Sequence, residues 1–339
     1  FLAAELVLRA LGVVPSRYAQ PWHAESADKR VAFDAYPDDP RGELDLDLRS
    51  AADRAPFEAA GIAIDAGRAE RTPHAVGLRF TATLCRGAEP PPDDGRARLL
   101  LIGDSFTEGQ GVREEGSFAA LLASDDRVVI NCGRRGYDFP DLYSLFARHL
   151  AHEPDVVLYA MTLNDFEQSE AFHSRQRFID DWIVDRRRMV SEGDGSPPFW
   201  QWRLWALIDD RLESLRVGAE TTRWYQEMVQ APNAAGWART QGAIARMHSE
   251  LHSRGAELLV ALWPLLVDLD QDYPFEEVHR AVGDAMRARG VPFVDTLPAF
   301  RGQDAASLWV HPSDRHPNAR AHGLFAEAVS PRVRELLED

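Results

Sequence analysis

The stretch ARLLLIGDSFTEGQG, residues 97–111, passes from a continuous apolar run into a cluster of glycines and small polar side chains. Residues 97–103 show no apolar–polar alternation, which predicts a strand buried on both faces, as in a parallel sheet covered by helices. PPPDDG, Pro90 to Gly95, makes a strong break just before it. Runs of the same kind recur as RVVIN at 127–131, DVVLYAM at 155–161 and ELLVALW at 257–263, with a shorter VPFVD at 291–295. Between them the sequence predicts helices over 117–123, 140–152, 237–254 and 275–289. The last two run into Arg254-Gly255 and Arg289-Gly290, a basic residue and then a glycine, as helix ends do. Strand, helix and strand in repetition predict an α/β chain with a mostly parallel five-stranded sheet and helices on both faces. In such a sheet, ligands sit at the carboxyl ends of the strands.

Outward from this core the rhythm is interrupted twice. Residues 166–236 hold no clear buried strand, and six of the nine tryptophans (Trp182, Trp200, Trp202, Trp205, Trp224 and Trp237) fall there or at its end. The segment reads as a helical insertion placed where substrate binds, serving as an aromatic wall, a cover or a small hydrophobic core. From Val31 to Pro92 the chain is rich in Asp, Pro, Gly and Ala, which predicts loops and short strands laid over the core. Before that, FLAAELVLRALGVV is interrupted by Glu5 and Arg9 and is shorter than the about 20 apolar residues that cross a bilayer. It reads either as an amphipathic helix packed on the domain or as the tail of a membrane anchor or signal.

The length of 339 residues suits one domain with a substantial elaboration. Hydrophobic residues at 45% and charged residues at 27% exclude disordered and fibrous classes. A net charge of −16 argues against a nucleic-acid partner, because no basic surface is available to release counterions from a phosphate backbone. The two cysteines, Cys85 and Cys132, exclude a disulfide-rich scaffold and a four-cysteine metal site, and the sequence leaves open whether they pair.

Three strand ends and one late segment carry polar signatures. The first strand ends in Gly103-Asp104-Ser105, where a serine on a strand-to-helix turn exposes its hydroxyl and the helix amides face any negative charge forming there. The second ends in Asn131-Cys132-Gly133-Arg134-Arg135-Gly136, whose glycines can bring a backbone N–H to a ligand or simply turn the chain. The third ends in Thr162-Leu163-Asn164-Asp165, setting an amide donor at the same edge. Near the carboxyl end, Asp314 and His316 lie between Pro312 and Pro317, so they belong to extended or turn backbone where both side chains can point the same way.

In order and strand context, Gly103-Asp104-Ser105, Gly136, Asn164 and Asp314/His316 resemble the four sequence blocks of the SGNH (GDSL-type) hydrolase superfamily. The resemblance runs from about Arg98 to the end. It implies a flavodoxin-like three-layer α/β/α sandwich, with a hydrolase domain over 96–339 and an extension over 1–95 packed on it. It also implies roles: Ser105 as nucleophile, His316 as general base and acid, and Asp314 as the group orienting His316. The oxyanion hole would be the Ser105 and Gly136 amides with the Asn164 side chain. Gly136 is preferred to Gly133 because the second glycine of such blocks supplies the amide. Asp104, Thr162 and Asp165 stand as candidates for touching substrate. Two departures from the pattern are present: the position three before the histidine is Ser313, so the acid is Asp314 at two, and Thr162 stands where the third block has glycine.

The implied activity is that of a serine esterase acting on a small-molecule or glycan ester, O-acyl carbohydrate or lipid-like, through an acyl-enzyme and with no metal or cofactor. The alternatives are an O-acyltransferase using the same triad and a non-catalytic glycan-binding protein of the same fold. GDSFTEGQG also resembles a subgroup tethered to bacterial membranes by an amino-terminal helix, in which the residues after the helix read much like AELVLRALG. This implies an extracytoplasmic, membrane-anchored protein, the alternative being a cytoplasmic one. Of the remaining histidines, His248 and His252 at i, i+4 read as solvated surface, and His311 and His322 carry no motif.

Overall fold

The computed structural model describes residues 2–13, 45–47, 50–59, 74–76, 81, 83, 85–87, 89–173, 202–311 and 314–338, the side chains of His311 and Asp314 not being among those described. The long apolar runs become strands: β3 (Ala97–Gly103), β4 (Arg127–Asn131), β5 (Val156–Met161), β6 (Glu257–Leu262) and β7 (Phe293–Asp295). They form one parallel five-stranded sheet in the order β4-β3-β5-β6-β7. The strand with the glycine and serine at its end therefore lies inside the sheet, flanked by β4 and β5, with Leu101 opposite Asn131 and Gly103 opposite Ala160. Leu99 to Ile102 and Val156 to Met161 are wholly buried. At about 1.5–3 kcal/mol for each large apolar side chain removed from water, these two strands anchor the domain.

Helices cover both faces. The turn after β3 forms α3 (Ser105–Glu108), and α4 (Phe118–Leu122) leads into β4. Next come α5 (Asp141–His149), then α6 (Arg203–Glu227) and α7 (Ala234–Ser253) between β5 and β6, α8 (Glu276–Arg287) before β7, and α9 (Leu297–Phe300). A last helix, α10 (Ala319–Glu338), packs on α4, while α5 and α7 pack together. The sequence pattern predicts no helix after residue 318, where Pro331 and scattered polar residues blur the period. An antiparallel pair, β8 (Trp309–His311) and β9 (Asp314–Pro317), stands apart from the main sheet. The three-layer α/β/α sandwich expected from the strand rhythm is the observed architecture.

The insertion is helical where it is described. Trp224 stacks on Phe172 at 5.7 Å and Trp237 meets Phe166 edge-on at 5.1 Å, so these two belong to the core. Trp202 and Trp205 are exposed, and Trp182 and Trp200 lie outside the described residues. At the amino end, α1 (Leu2–Ala10) turns Glu5 inward. Its carboxylate accepts from Arg203 N at 3.0 Å and Leu204 N at 3.1 Å, capping the start of α6. Of the region before Pro92, β1 (Asp45–Asp47), α2 (Ala51–Ala59) and β2 (His74–Val76) are described, β1 and β2 forming a small antiparallel pair. Among the described residues no helix is long and apolar enough to cross a membrane. Cys85 and Cys132, whose pairing the sequence left open, form a disulfide.

Candidate active site

Ser105 is the first residue of α3, at the carboxyl end of β3. Asp104 makes the turn possible: it precedes the helix and its side chain accepts from Phe106 N at 2.9 Å, satisfying a donor that has no intrahelical partner. Ser105 Oγ lies 2.9 Å from His316 Nε2, although 211 positions separate them. His316 arrives on β9, whose position is fixed by Asn318. The Asn318 amide donates to Ser307 O at 2.9 Å and Trp309 O at 3.1 Å, and its oxygen accepts from Ala321 N at 3.1 Å. Phe106 packs against the His316 ring at 5.7 Å. Asp314 lies one pleat period away on β9; its side chain is outside the described residues.

The other two signatures meet at the same edge. Gly136 follows β4 in a turn with φ +76°, and among the described residues neither its N–H nor that of Ser105 has an acceptor. Gly133, the other glycine of the block, does different work. It is pressed against α3 so closely that a Cβ there would lie 2.6 Å from the Thr107 carbonyl carbon. Asn164 follows β5, and its Nδ2 donates one hydrogen to Asp104 at 3.1 Å, leaving the second for another acceptor.

Asp104, Thr162 and Asp165, read as candidates for touching substrate, are instead buried at 1%, 0% and 0% exposure and turned toward one another. The reason is the depth of the β3 and β5 ends: nothing polar from solvent reaches them, so they satisfy each other. Thr162 Oγ1 is 3.0 Å from Asp104, 2.9 Å from Asn164 Oδ1 and 2.9 Å from Asp165. Tyr159 donates to Asp165 at 3.0 Å and Thr162 N does so at 2.9 Å. Burial, and then the charge of Asp104, hold Asp165 well above the usual carboxylate range. Burial also raises Asp104, opposed by its hydrogen bonds from Phe106, Asn164 and Thr162 and by His316. Together these residues form a floor that aims Asn164.

The turn that carries Ser105 is clamped from the outside as well. Asn131 Nδ2 donates to Thr107 O at 2.8 Å, and Arg86 donates to Glu108 O at 2.9 Å and Val112 O at 2.6 Å. The buried Glu108 carboxylate is paired with Arg135 at 2.6 Å. None of these clamps was legible in the sequence. Arg86 carries no motif, Asn131 stands only as the first residue of the second strand-end signature, and the bridge between them, beside the Cys85–Cys132 disulfide, brings Arg86 to the site.

A hydroxyl in hydrogen-bond reach of an imidazole, beside unengaged N–H donors on adjacent strand ends, is an arrangement for nucleophilic acyl chemistry. The sequence matches the profile of the GDSL-like lipase/acylhydrolase family over residues 101–324. The chain belongs to that family. It is an ester-hydrolysing serine hydrolase. As a member of this family it is similar to several solved structures. The crystal structure of TesA matches at 17% identity and TM-score 0.42, covering 70% of this chain and 99% of that one. LAE5, an alpha/beta hydrolase enzyme from the metagenome of Lake Arreo, Spain, matches at 16% and 0.41, covering 71% and 96%. A catalytic mutant of Axe2, an acetylxylan esterase from Geobacillus stearothermophilus, matches at 16% and 0.39, covering 72% and 96%. No curated protein matches the chain.

Proposed function

We propose that this GDSL-family hydrolase cleaves O-acyl esters of a carbohydrate or a lipid-like alcohol through an acyl-enzyme on Ser105. The observation that carries the reading is the 2.9 Å separation of Ser105 Oγ and His316 Nε2 at the carboxyl edge of the sheet. His316 takes the Ser105 proton as Oγ bonds to the ester carbonyl carbon. The carbonyl π electrons move to its oxygen, where the Ser105 N–H, the Gly136 N–H and the second hydrogen of Asn164 Nδ2 can receive them. Collapse of that intermediate expels the alcohol, which leaves with the proton held by His316. Water then repeats the sequence on the acyl-enzyme and releases the acid. Asp314 is assigned to His316 Nδ1, holding the tautomer in which Nε2 is the base.

A serine-directed fluorophosphonate followed by peptide mapping is expected to label Ser105 in the folded protein. Ser105→Ala is expected to lower hydrolysis of nitrophenyl acetate on the order of 10⁶-fold, as in other Ser-His hydrolases. Absence of labelling together with unimpaired hydrolysis by Ser105→Ala would sink the proposal. An added sugar acceptor that becomes acylated would move the reaction from hydrolysis to transfer on the same residues.

A further inference from the structure

Cys85 and Cys132 are joined, yet they sit among side chains that a disulfide does not require. His149, at 1% exposure, has Cys85 Sγ as the only hydrogen-bond partner of its ring among the described residues, 3.5 Å from Nδ1. His152 lies one turn further on and stacks on His149 at 5.5 Å and 4°. One ligand atom from each of Cys85, Cys132, His149 and His152 falls within a sphere where none is more than 4.8 Å from another. With Zn–S at about 2.3 Å and Zn–N at about 2.0–2.1 Å, tetrahedral ligand atoms stand about 3.3–3.8 Å apart, so modest closing of the histidines and opening of the sulfurs suffices.

The four backbones are held independently of any metal. Cys132 N donates to Leu101 O at 3.0 Å, extending β4, and Cys85 N donates to Thr81 Oγ1 at 3.0 Å. His149 is the last residue of α5, and the His152 carbonyl accepts from Arg98 Nε at 2.6 Å. Two thiolates and two neutral imidazoles cancel the charge of a divalent ion, which a buried site requires. Two sulfurs and two nitrogens without a carboxylate select zinc over calcium or magnesium.

We propose that, when the Cys85–Cys132 bond is opened to two thiols, Cys85, Cys132, His149 and His152 bind one Zn²⁺. Opening takes two electrons and two protons. A dithiol reductant supplies both and becomes a disulfide; a phosphine supplies the electrons, takes oxygen from water to become its oxide, and leaves the water's two protons on the sulfurs. Zinc binding then releases those two protons as the thiols become thiolate ligands. The two fastenings, sulfur–sulfur and sulfur–zinc–sulfur, hold the same pair of segments. Arg86 and Asn131, next in sequence to the two cysteines, are the clamps on the nucleophile turn, so either fastening keeps them in place.

The full chain, reduced with a phosphine under nitrogen, freed of reductant and assayed for two thiols, is to be mixed with Zn²⁺ and passed through a desalting column. One zinc per chain by elemental analysis is expected. Co²⁺ in its place should give the visible bands of a tetrahedral ion with thiolate charge transfer in the near ultraviolet. His149→Gln, Cys132→Ser and His152→Gln should each bind zinc at least tenfold more weakly, near-UV circular dichroism reporting the fold. His152 is half-buried, so His152→Gln carries the test where the buried variants do not fold. Three outcomes overturn the proposal: no zinc retained by protein with two titrated thiols, zinc retained equally by His152→Gln, or a disulfide that opens only on unfolding.

Discussion

Thr162 Oγ1 carries one proton and stands within 3.0 Å of three oxygens, on Asp104, Asn164 and Asp165. One hydroxyl proton cannot serve all three, so a carboxyl has to supply another. Burial and the neighbouring charge of Asp104 put that proton on Asp165. A protonated Asp165 accepts from Tyr159 and Thr162 N on one oxygen and donates from the other, which a carboxamide reproduces. Asp165→Asn is therefore expected to cost less than about 1 kcal/mol in denaturant melts. Asp104→Asn keeps one acceptor oxygen and sets its NH2 against either Phe106 N or Asn164 Nδ2, both of them donors, and is expected to cost about 1–3 kcal/mol and to lower kcat. Equal losses in the two variants would place the proton elsewhere. The two glycines of the second block separate in the same manner. Gly133→Ala drives a Cβ into the α3 backbone and should lose both stability and activity. Gly136→Ala meets open space and keeps its N–H; its cost is the strain of φ +76°, about 1–3 kcal/mol, which melts would report with kcat nearly unchanged.

The strands were legible because burial on both faces leaves an unbroken apolar run, and all five lie within two residues of their expected ends. Ser105 and His316 were legible through short motifs, and the expectation that 314 and 316 are extended is met by β9. What holds β9 was not. Asn318 reaches three backbone groups of Ser307, Trp309 and Ala321, a pattern made by folding and absent from any local period. Trp309 Nε1 further donates to Leu266 O at 2.8 Å, tying β8 to the segment after β6. The β8–β9 pair thus behaves as an arm with a short anchor. Asn318→Ala is expected to loosen it and lower kcat on the order of 10–100-fold while KM stays put, since Asn318 positions His316 without touching substrate. A matching fall in the rate of fluorophosphonate labelling at Ser105 is the companion readout. A change confined to KM would show that the arm shapes binding instead. The clusters built from distant segments, Arg86 on α3 and the cysteines with His149 and His152, were illegible for the same reason.

At the scale of the molecule, one histidine without a sequence motif joins the last helix to the helix that leads into β4. His322 on α10 is wholly buried, lies parallel to Phe118 at 5.6 Å and meets Trp263 edge-on at 5.6 Å. Its Nδ1 accepts from Phe118 N at 3.2 Å, binding α10 to the start of α4. Burial, with the charge of Arg86 adding to it, pushes its pKa down to about 3. In the unfolded chain it titrates near the ordinary value of about 6.5, so below that pH unfolding takes up a proton that the folded state refuses. The stability held by neutral His322 is therefore complete above about pH 6.5 and is lost as the pH falls toward about 3. His322→Asn keeps an acceptor for Phe118 N and loses both the ring contacts and the titration. At pH 7 the variant should be less stable than the parent by about 1–3 kcal/mol. From pH 6 to pH 4 the gap should close by up to about 1.4 kcal/mol per pH unit, because only the parent pays to keep the imidazole neutral. Urea melts followed by tryptophan fluorescence at several pH values measure it directly. A gap independent of pH would mean that the ring is protonated in the folded protein or exchanges with solvent, and α10 would then be held to the sheet by its apolar face alone.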